Sequence, residues 1–388
     1  LLKNVELLAM DPLTIDLAPS ASCHRHGGWR PGDPSGQRQF SQLFGDAPLD
    51  LELGGRLGPI TLAWESWGQL NGAADNAVLL LHGFSGDSHA AGPAGPGHGA
   101  PGWWDGLIGP GRALDTDRFF VLCPNVLGGC QGSSGPSSPA PDGRPWGPRF
   151  PALTIRDLVA AERQLAILLG ISRWHAVIGG SMGGMRALEW AIEEPQRVER
   201  LLLLATAARC SAENIPFHLC QIEAIRQDPN FLGGDYYDDP SGGPQRGLAL
   251  ARSIATITYG CERELDQRFA AADPLGREQA IASFLEAEAQ RLVRRFDANS
   301  YITLTQAMNR HDVGRGRGGI DSALARITAR VRLVAVTSDR LFPPHRHQEL
   351  AAGLRSGVTF STLESQLGHD AYMLEAGKLS EIVRQSLG

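Results

Sequence analysis

The run Gly179-Gly180-Ser181-Met182-Gly183-Gly184-Met185 constrains the fold more tightly than any other stretch of the chain. It has the form Gly-x-Ser-x-Gly. In that pattern a serine sits on a sharp turn from strand to helix, and residues without side chains two positions either side let the backbone fold back on itself. Residues 174–178 before it are short and mostly apolar, as a buried strand requires. Residues 186–194 after it set Leu188, Ala191 and Ile192 on one side at helical spacing. The context matches the motif and makes Ser181 a candidate nucleophile. In a chain with 47 glycines, the bland alternative is an ordinary Gly-rich turn.

The rest of the chain repeats this strand-then-loop rhythm. Ile60, Leu62 and Trp64 alternate with smaller or polar residues as in a half-buried strand. Residues 77–81 are continuously apolar and run into His82-Gly83-Phe84-Ser85-Gly86, and residues 119–123 repeat that form. Residues 154–169 read as an amphipathic helix, and 201–205 as another strand. Strand character then disappears until 331–336 and 358–363, and a helix over 378–386 follows. Alternating strands and helices predict an α/β fold with a mostly parallel sheet covered on both faces. The predicted division is an irregular extension over residues 1–45, a core over 46–205, an inserted helical cap over 206–324 and the remaining core over 325–388.

Composition excludes several classes. A net charge of -6 with mixed signs argues against a nucleic-acid surface. There is no apolar run long enough to span a membrane, and the opening residues lack the long apolar segment of a secretion signal, so a cytoplasmic enzyme is expected. The six cysteines include no Cys-x-x-Cys pair and read as reduced, mostly buried thiols, with Cys123 and Cys130 as minor candidates for a nucleophile. No metal or permanent cofactor is expected.

A serine hydroxyl needs a base within hydrogen-bond reach and a carboxylate to orient that base. His369 lies just beyond the last predicted strand, and Asp339 just beyond the strand before it. Loops at the carboxyl ends of parallel strands gather functional groups, so Ser181, Asp339 and His369 can converge. Asp370 remains a rival to Asp339, and His345 or His347 to His369. The oxyanion of acyl transfer needs backbone donors, expected at Met182 and near Phe84.

With these residues in view, the chain resembles the homoserine O-acetyltransferase family, acyltransferases of the α/β-hydrolase fold that act in methionine biosynthesis. Besides the serine turn, the resemblance rests on residues 86–89, 102–106 (Gly-Trp-Trp-Asp-Gly), 125–130 (Asn-Val-Leu-Gly-Gly-Cys), 155–157, 295–301 (Arg-Phe-Asp-Ala-Asn-Ser-Tyr), 311–319 and 368–370. It implies a ping-pong reaction in which Ser181 takes acetyl from the co-substrate acetyl-CoA and passes it to L-homoserine. It further implies Arg252 on the homoserine carboxylate, Tyr259 beside it, Asp370 on the amino group, and a homodimer formed through the cap. The loop at residues 83–86 departs from the usual Ala-Leu-Thr-Gly, and its Phe84 narrows the acyl site. Position 256, often histidine in relatives, is Thr256. Alternatives on the same scaffold are a succinyl donor, serine as acceptor, an ester hydrolase, or a catalytically inert binding protein.

Overall fold

The computed structural model describes residues 27–355 and 357–388. The part of the expected extension at residues 1–26 lies outside the described residues. Strands β1 (Gln39–Leu43), β2 (Ile60–Trp67), β3 (Ala77–Leu81), β4 (Phe120–Pro124), β5 (Ala176–Gly180), β6 (Arg200–Leu204), β7 (Arg330–Val336) and β8 (Val358–Leu363) form a sheet in the order β1-β2-β4-β3-β5-β6-β7-β8. β2 is antiparallel to both of its neighbours, and the remaining pairs are parallel. This is the mostly parallel sheet of the α/β-hydrolase fold.

Period-2 geometry splits the central strands between two cores. Leu79, Val177 and Leu203 face helices α1 (Ile155–Leu168) and α2 (Met182–Glu193), where Leu158, Leu165 and Leu188 pack. Leu80, Ile178 and Leu202 point to the opposite face, toward Leu379 and Val383 of the C-terminal helix Ala376–Leu387. Every residue of β3 and β5 is buried, which is why they read as unbroken apolar runs. α1 begins at a reciprocal cap. The Thr154 amide donates to Asp157 Oδ2 at 2.8 Å while the Asp157 amide donates to the Thr154 hydroxyl.

Between β6 and β7 the chain runs through α3 (Asn214–Arg226), α4 (Gln245–Tyr259), α5 (Glu262–Arg268), α6 (Arg277–Val293) and α7 (Ala298–Asn309). No helix among the described residues is long and apolar enough to cross a membrane.

Two expectations need correction. The irregular stretch does not extend to residue 45, because Gln39–Leu43 is β1, paired from Gln39 opposite Trp64 to Leu43 opposite Ile60. An edge strand with only Leu43 fully buried has no alternation to read, and its order comes from β2 and from Phe40 stacking on Trp29 at 4.9 Å. β2 itself is not half-buried: Ala63 and Glu65 on its second face are as enclosed as Leu62. Glu65 is tolerated there because it accepts from Ser88 Oγ at 2.7 Å and pairs with His89 Nδ1 at 2.9 Å.

One buried ion pair ties α1 to α2. Arg186 is fully enclosed, donates to Glu162 Oε1 at 2.8 Å and to the His82 carbonyl at 2.7 Å, and Glu162 also accepts from Trp190 Nε1 at 2.8 Å. Removing the cation alone strands a buried carboxylate. Arg186→Met is therefore expected to lower unfolding free energy by about 3–5 kcal/mol. Urea denaturation measures this, and Arg186→Met with Glu162→Gln should recover part of the loss.

Candidate active site

β5 delivers Ser181 to the turn in a backbone conformation that L-residues rarely adopt, with φ 56° and ψ −124°. Such a conformation costs about 1–3 kcal/mol and persists only where the surroundings enforce it. The surroundings do so here. The Ser181 amide donates to the Leu204 carbonyl at 3.0 Å, and the Ser181 carbonyl accepts from Thr206 Oγ1 at 2.9 Å and from the Gly184 amide at 2.9 Å. A Cβ on Gly179 would collide with the Gly183 carbonyl, and one on Gly183 with the Leu81 carbonyl, so both positions require glycine. Met182 opens α2, where an amide has no intrahelical acceptor.

Asp339 follows β7, and His369 sits in a short turn after β8. The carboxylate is nearly enclosed. Its Oδ1 accepts from the amides of Leu341 (2.8 Å) and Phe342 (3.0 Å), and its Oδ2 lies 2.8 Å from His369 Nδ1. With the proton on Nδ1 donated to Asp339, the free lone pair of the imidazole is on Nε2. Burial pushes the histidine down, but the charge and hydrogen bond of Asp339, with Asp370 adding to them, overcome this and raise it above its ordinary value of 6.5. For Asp339, burial pushes up, and the His369 charge and the three hydrogen bonds outweigh it and hold the carboxyl low.

The imidazole stands among three rings, Phe342 at 5.3 Å, Tyr372 at 5.4 Å and Tyr259 at 5.7 Å. Tyr372 in turn lies against Gly180 and Gly83, where added side chains would strike it, so one aromatic side chain bridges the histidine to both loops flanking the serine. Two of the three rings, Tyr259 and Phe342, also line the cavity onto which Ser181 opens, although the Ser181 and His369 side chains are not hydrogen-bonded to each other. Unliganded catalytic contacts are often long and tighten when substrate binds. The rival groups are engaged elsewhere. His347 Nε2 accepts from the Thr206 amide at 3.1 Å, and burial lowers this imidazole to about 4. His345 is exposed, and Asp370 is not the partner of Nδ1. Burial pushes the Cys130 thiol up to about 12 and the Cys123 thiol well above its usual range, so neither is a thiolate near neutrality. The five described cysteines are free, and Cys220 alone among them is exposed.

A cavity opens onto Ser181. Phe84, Leu341 and Phe342 form its apolar walls, and helices α3, α4 and α7 roof it with Gln221, Tyr259 and Thr305. Thr305 is almost fully buried and its hydroxyl has no partner; sequence periodicity places such a residue in the core and gives no sign of this role. The Phe84 loop is anchored by Arg295, which donates to the Ser85 carbonyl and to Asp87 Oδ2, each at 2.6 Å. Sequence reading of single loops cannot pair residues 208 positions apart.

Arg252 and Tyr259 share a face of α4, with the guanidinium carbon 5.2 Å from the ring centre. Tyr259 lines the cavity, whereas Arg252 stands behind it, 3.8 Å from Glu288. Its Nε is buried without a partner, as is the hydroxyl of Thr256 one turn further along. Asp370 is raised by burial, an effect that His369 and Arg252 partly offset, which sets it close to both.

Glu65, His89 and His98 bring three potential metal-donor atoms within 4.8 Å of one another. They do not make a ready metal site. The lone pair of His98 Nε2 already accepts the Gln37 amide at 2.9 Å, Glu65 is bound by Ser88 and His89, and the two imidazoles stack face to face at 3.7 Å. The cluster is a buried polar network in which those atoms are already engaged, although His89 Nε2 and His98 Nδ1 have no hydrogen-bond partner.

Residues 76–376 match a family model described as the alpha/beta hydrolase fold. The chain is 55% identical to the homoserine O-acetyltransferase of Thermobifida fusca, covering 93% of this chain and 96% of that protein. Among solved structures it is similar to homoserine O-acetyltransferase from Bacillus anthracis, with a TM-score of 0.82 at 28% identity over 90% of this chain and 97% of that one. It is similar also to esterase E22, with a TM-score of 0.82 at 30% identity over 90% and 99%. The chain therefore belongs to the homoserine O-acetyltransferase family of the alpha/beta hydrolase fold.

Proposed function

We propose that this protein is a homoserine O-acetyltransferase in which Ser181 is the nucleophile, His369 the base and Asp339 the carboxylate that orients it. The helices between β6 and β7 act as a cap over the site. The observation that carries the reading is the His369–Asp339 hydrogen bond, whose imidazole packs on Tyr259 and Phe342, which line the cavity at the strained serine, in a chain 55% and 50% identical to two homoserine O-acetyltransferases. In the first half-reaction the Ser181 hydroxyl gives its proton to His369 Nε2 and attacks the thioester carbon of acetyl-CoA. The amides of Met182 and Phe84 stabilise the oxyanion, and CoA leaves with the proton. In the second half the homoserine hydroxyl gives its proton to His369, attacks the acetyl-serine and returns Ser181 to its starting state.

The partnerless Arg252 Nε supports Arg252 as the group that meets the homoserine carboxylate, since a guanidinium fork suits a planar anion. Tyr259 separates that cation from the acyl site, and Asp370, between Arg252 and His369, suits the amino group. Acetyl-CoA is a co-substrate that comes and goes, and we expect a cytoplasmic homodimer. The likeness to esterase E22 favours one second reading, ester hydrolysis, in which water finishes the reaction.

Incubation with acetyl-CoA and L-homoserine should release CoA thiol and yield O-acetylhomoserine, and Ser181→Ala should cut this by about 10⁴-fold or more. Thiol release at the same rate with and without homoserine, and no O-acetylhomoserine, would favour hydrolysis instead. The pH profile gives a second test. His369 must be neutral to act, and its partner holds it above 6.5, so kcat/KM should fall as pH drops through a value above 6.5. Asp339→Asn should lower the rate by about 10³–10⁴-fold and move that acid limb downward.

A further inference from the structure

Behind the Phe84 side chain lies a second cavity, with Phe84 itself, Val126, Phe296 and Leu304 among its apolar walls and, on its polar side, His82, Asn125 and Gln131. The side-chain amide nitrogen of Asn125 donates to Ser88 Oγ and the Gln131 carbonyl, and that of Gln131 to the Arg295 carbonyl. It has room for about one water molecule. Phe84 lines both this cavity and the one containing Ser181. Its ring is held edge-on to Tyr301 at 4.7 Å and tilted against Phe296 at 6.0 Å, so it stands as a fixed partition. An acyl carbonyl pointing its oxygen at the amides of Phe84 and Met182 must send its carbon chain past one of those two side chains. The Met182 side chain is fully buried and lines neither cavity, which leaves Phe84.

Resting on the acyl-serine reading above, we infer that Phe84 sets the length of the acyl group by sealing the second cavity, and that this cavity would accept neutral, unbranched acyl chains. Its walls supply no cation for an acyl carboxylate. No Lys or Arg lines it, and both His82 nitrogens are used, Nδ1 toward the Gly83 carbonyl at 2.8 Å and Nε2 toward the Val126 amide at 3.2 Å. Burial lowers His82 to about 3, so it stays uncharged.

The test compares kcat/KM for p-nitrophenyl acetate and butyrate, and for acetyl-, butyryl- and succinyl-CoA, in wild type, Phe84→Leu and Phe84→Ala. One methylene in an apolar pocket is worth about 10–200-fold. The butyryl-to-acetyl ratio should therefore rise at least about tenfold in Phe84→Ala and less in Phe84→Leu, while succinyl-CoA gains nothing. Adding Leu304→Phe to Phe84→Ala refills the space and should return the ratio toward wild type. An unchanged ratio in both single variants overturns the inference, as does a wild type that already takes butyrate as readily as acetate or a succinyl gain equal to the butyryl gain. If Phe84→Ala does not fold, Phe84→Leu decides by the same ratio. The ester assay needs no acceptor, so failure to make O-acetylhomoserine would count against the proposed function and leave the ratio to judge Phe84 separately.

Discussion

The left-handed backbone at Ser181 is the constraint on which the rest of the site depends. A residue with φ near 56° between a buried strand and a helix lifts its hydroxyl out of the sheet, and that requires two glycines and acceptors on the adjacent strand. The same closeness that excludes side chains at Gly179 and Gly183 brings β3 and its loop against the turn, so the loop bearing Phe84 is placed by the packing that strains the serine. Arg186, reaching back to the His82 carbonyl, fixes the start of that loop from below. Arg295 fixes its far end from above through Ser85 and Asp87.

The electrostatics have a division of labour. Asp339 is held ionised by His369 and by two amides of its own loop, so it can orient the imidazole without taking its proton. Two other buried histidines are held neutral: His82 uses both ring nitrogens and His347 its Nε2 on backbone groups, and burial lowers both. His369, by contrast, is paired with Asp339 and raised above its ordinary value, as His89 is by Glu65 away from the serine.

Much of this was legible in the sequence because it depends on local pattern. Unbroken apolar runs marked β3 and β5, the glycines marked the serine turn, and the positions of Asp339 and His369 just after strands marked them as convergent. The chain order of strands says nothing about edges, so β1 went unread: it is ordered by β2, not by its own alternation. Burial of Glu65 was likewise invisible, since its partners Ser88 and His89 lie on a different loop. Helical spacing did put Arg252 and Tyr259 on one face, yet it could not tell that the tyrosine would line the cavity while the arginine stood behind it. Resemblance supplied those residues; three-dimensional packing supplies their order.

The central claim is that an acyl group rests on the serine before an alcohol removes it. Mixing the protein with acetyl-CoA alone, quenching in acid and analysing the peptides by mass spectrometry tests this most directly. The account predicts one acetyl group on the peptide containing Ser181, lost when homoserine is added before the quench. Full transfer to homoserine with no acetyl ever found on that peptide, or acetyl found on a different side chain, would contradict it.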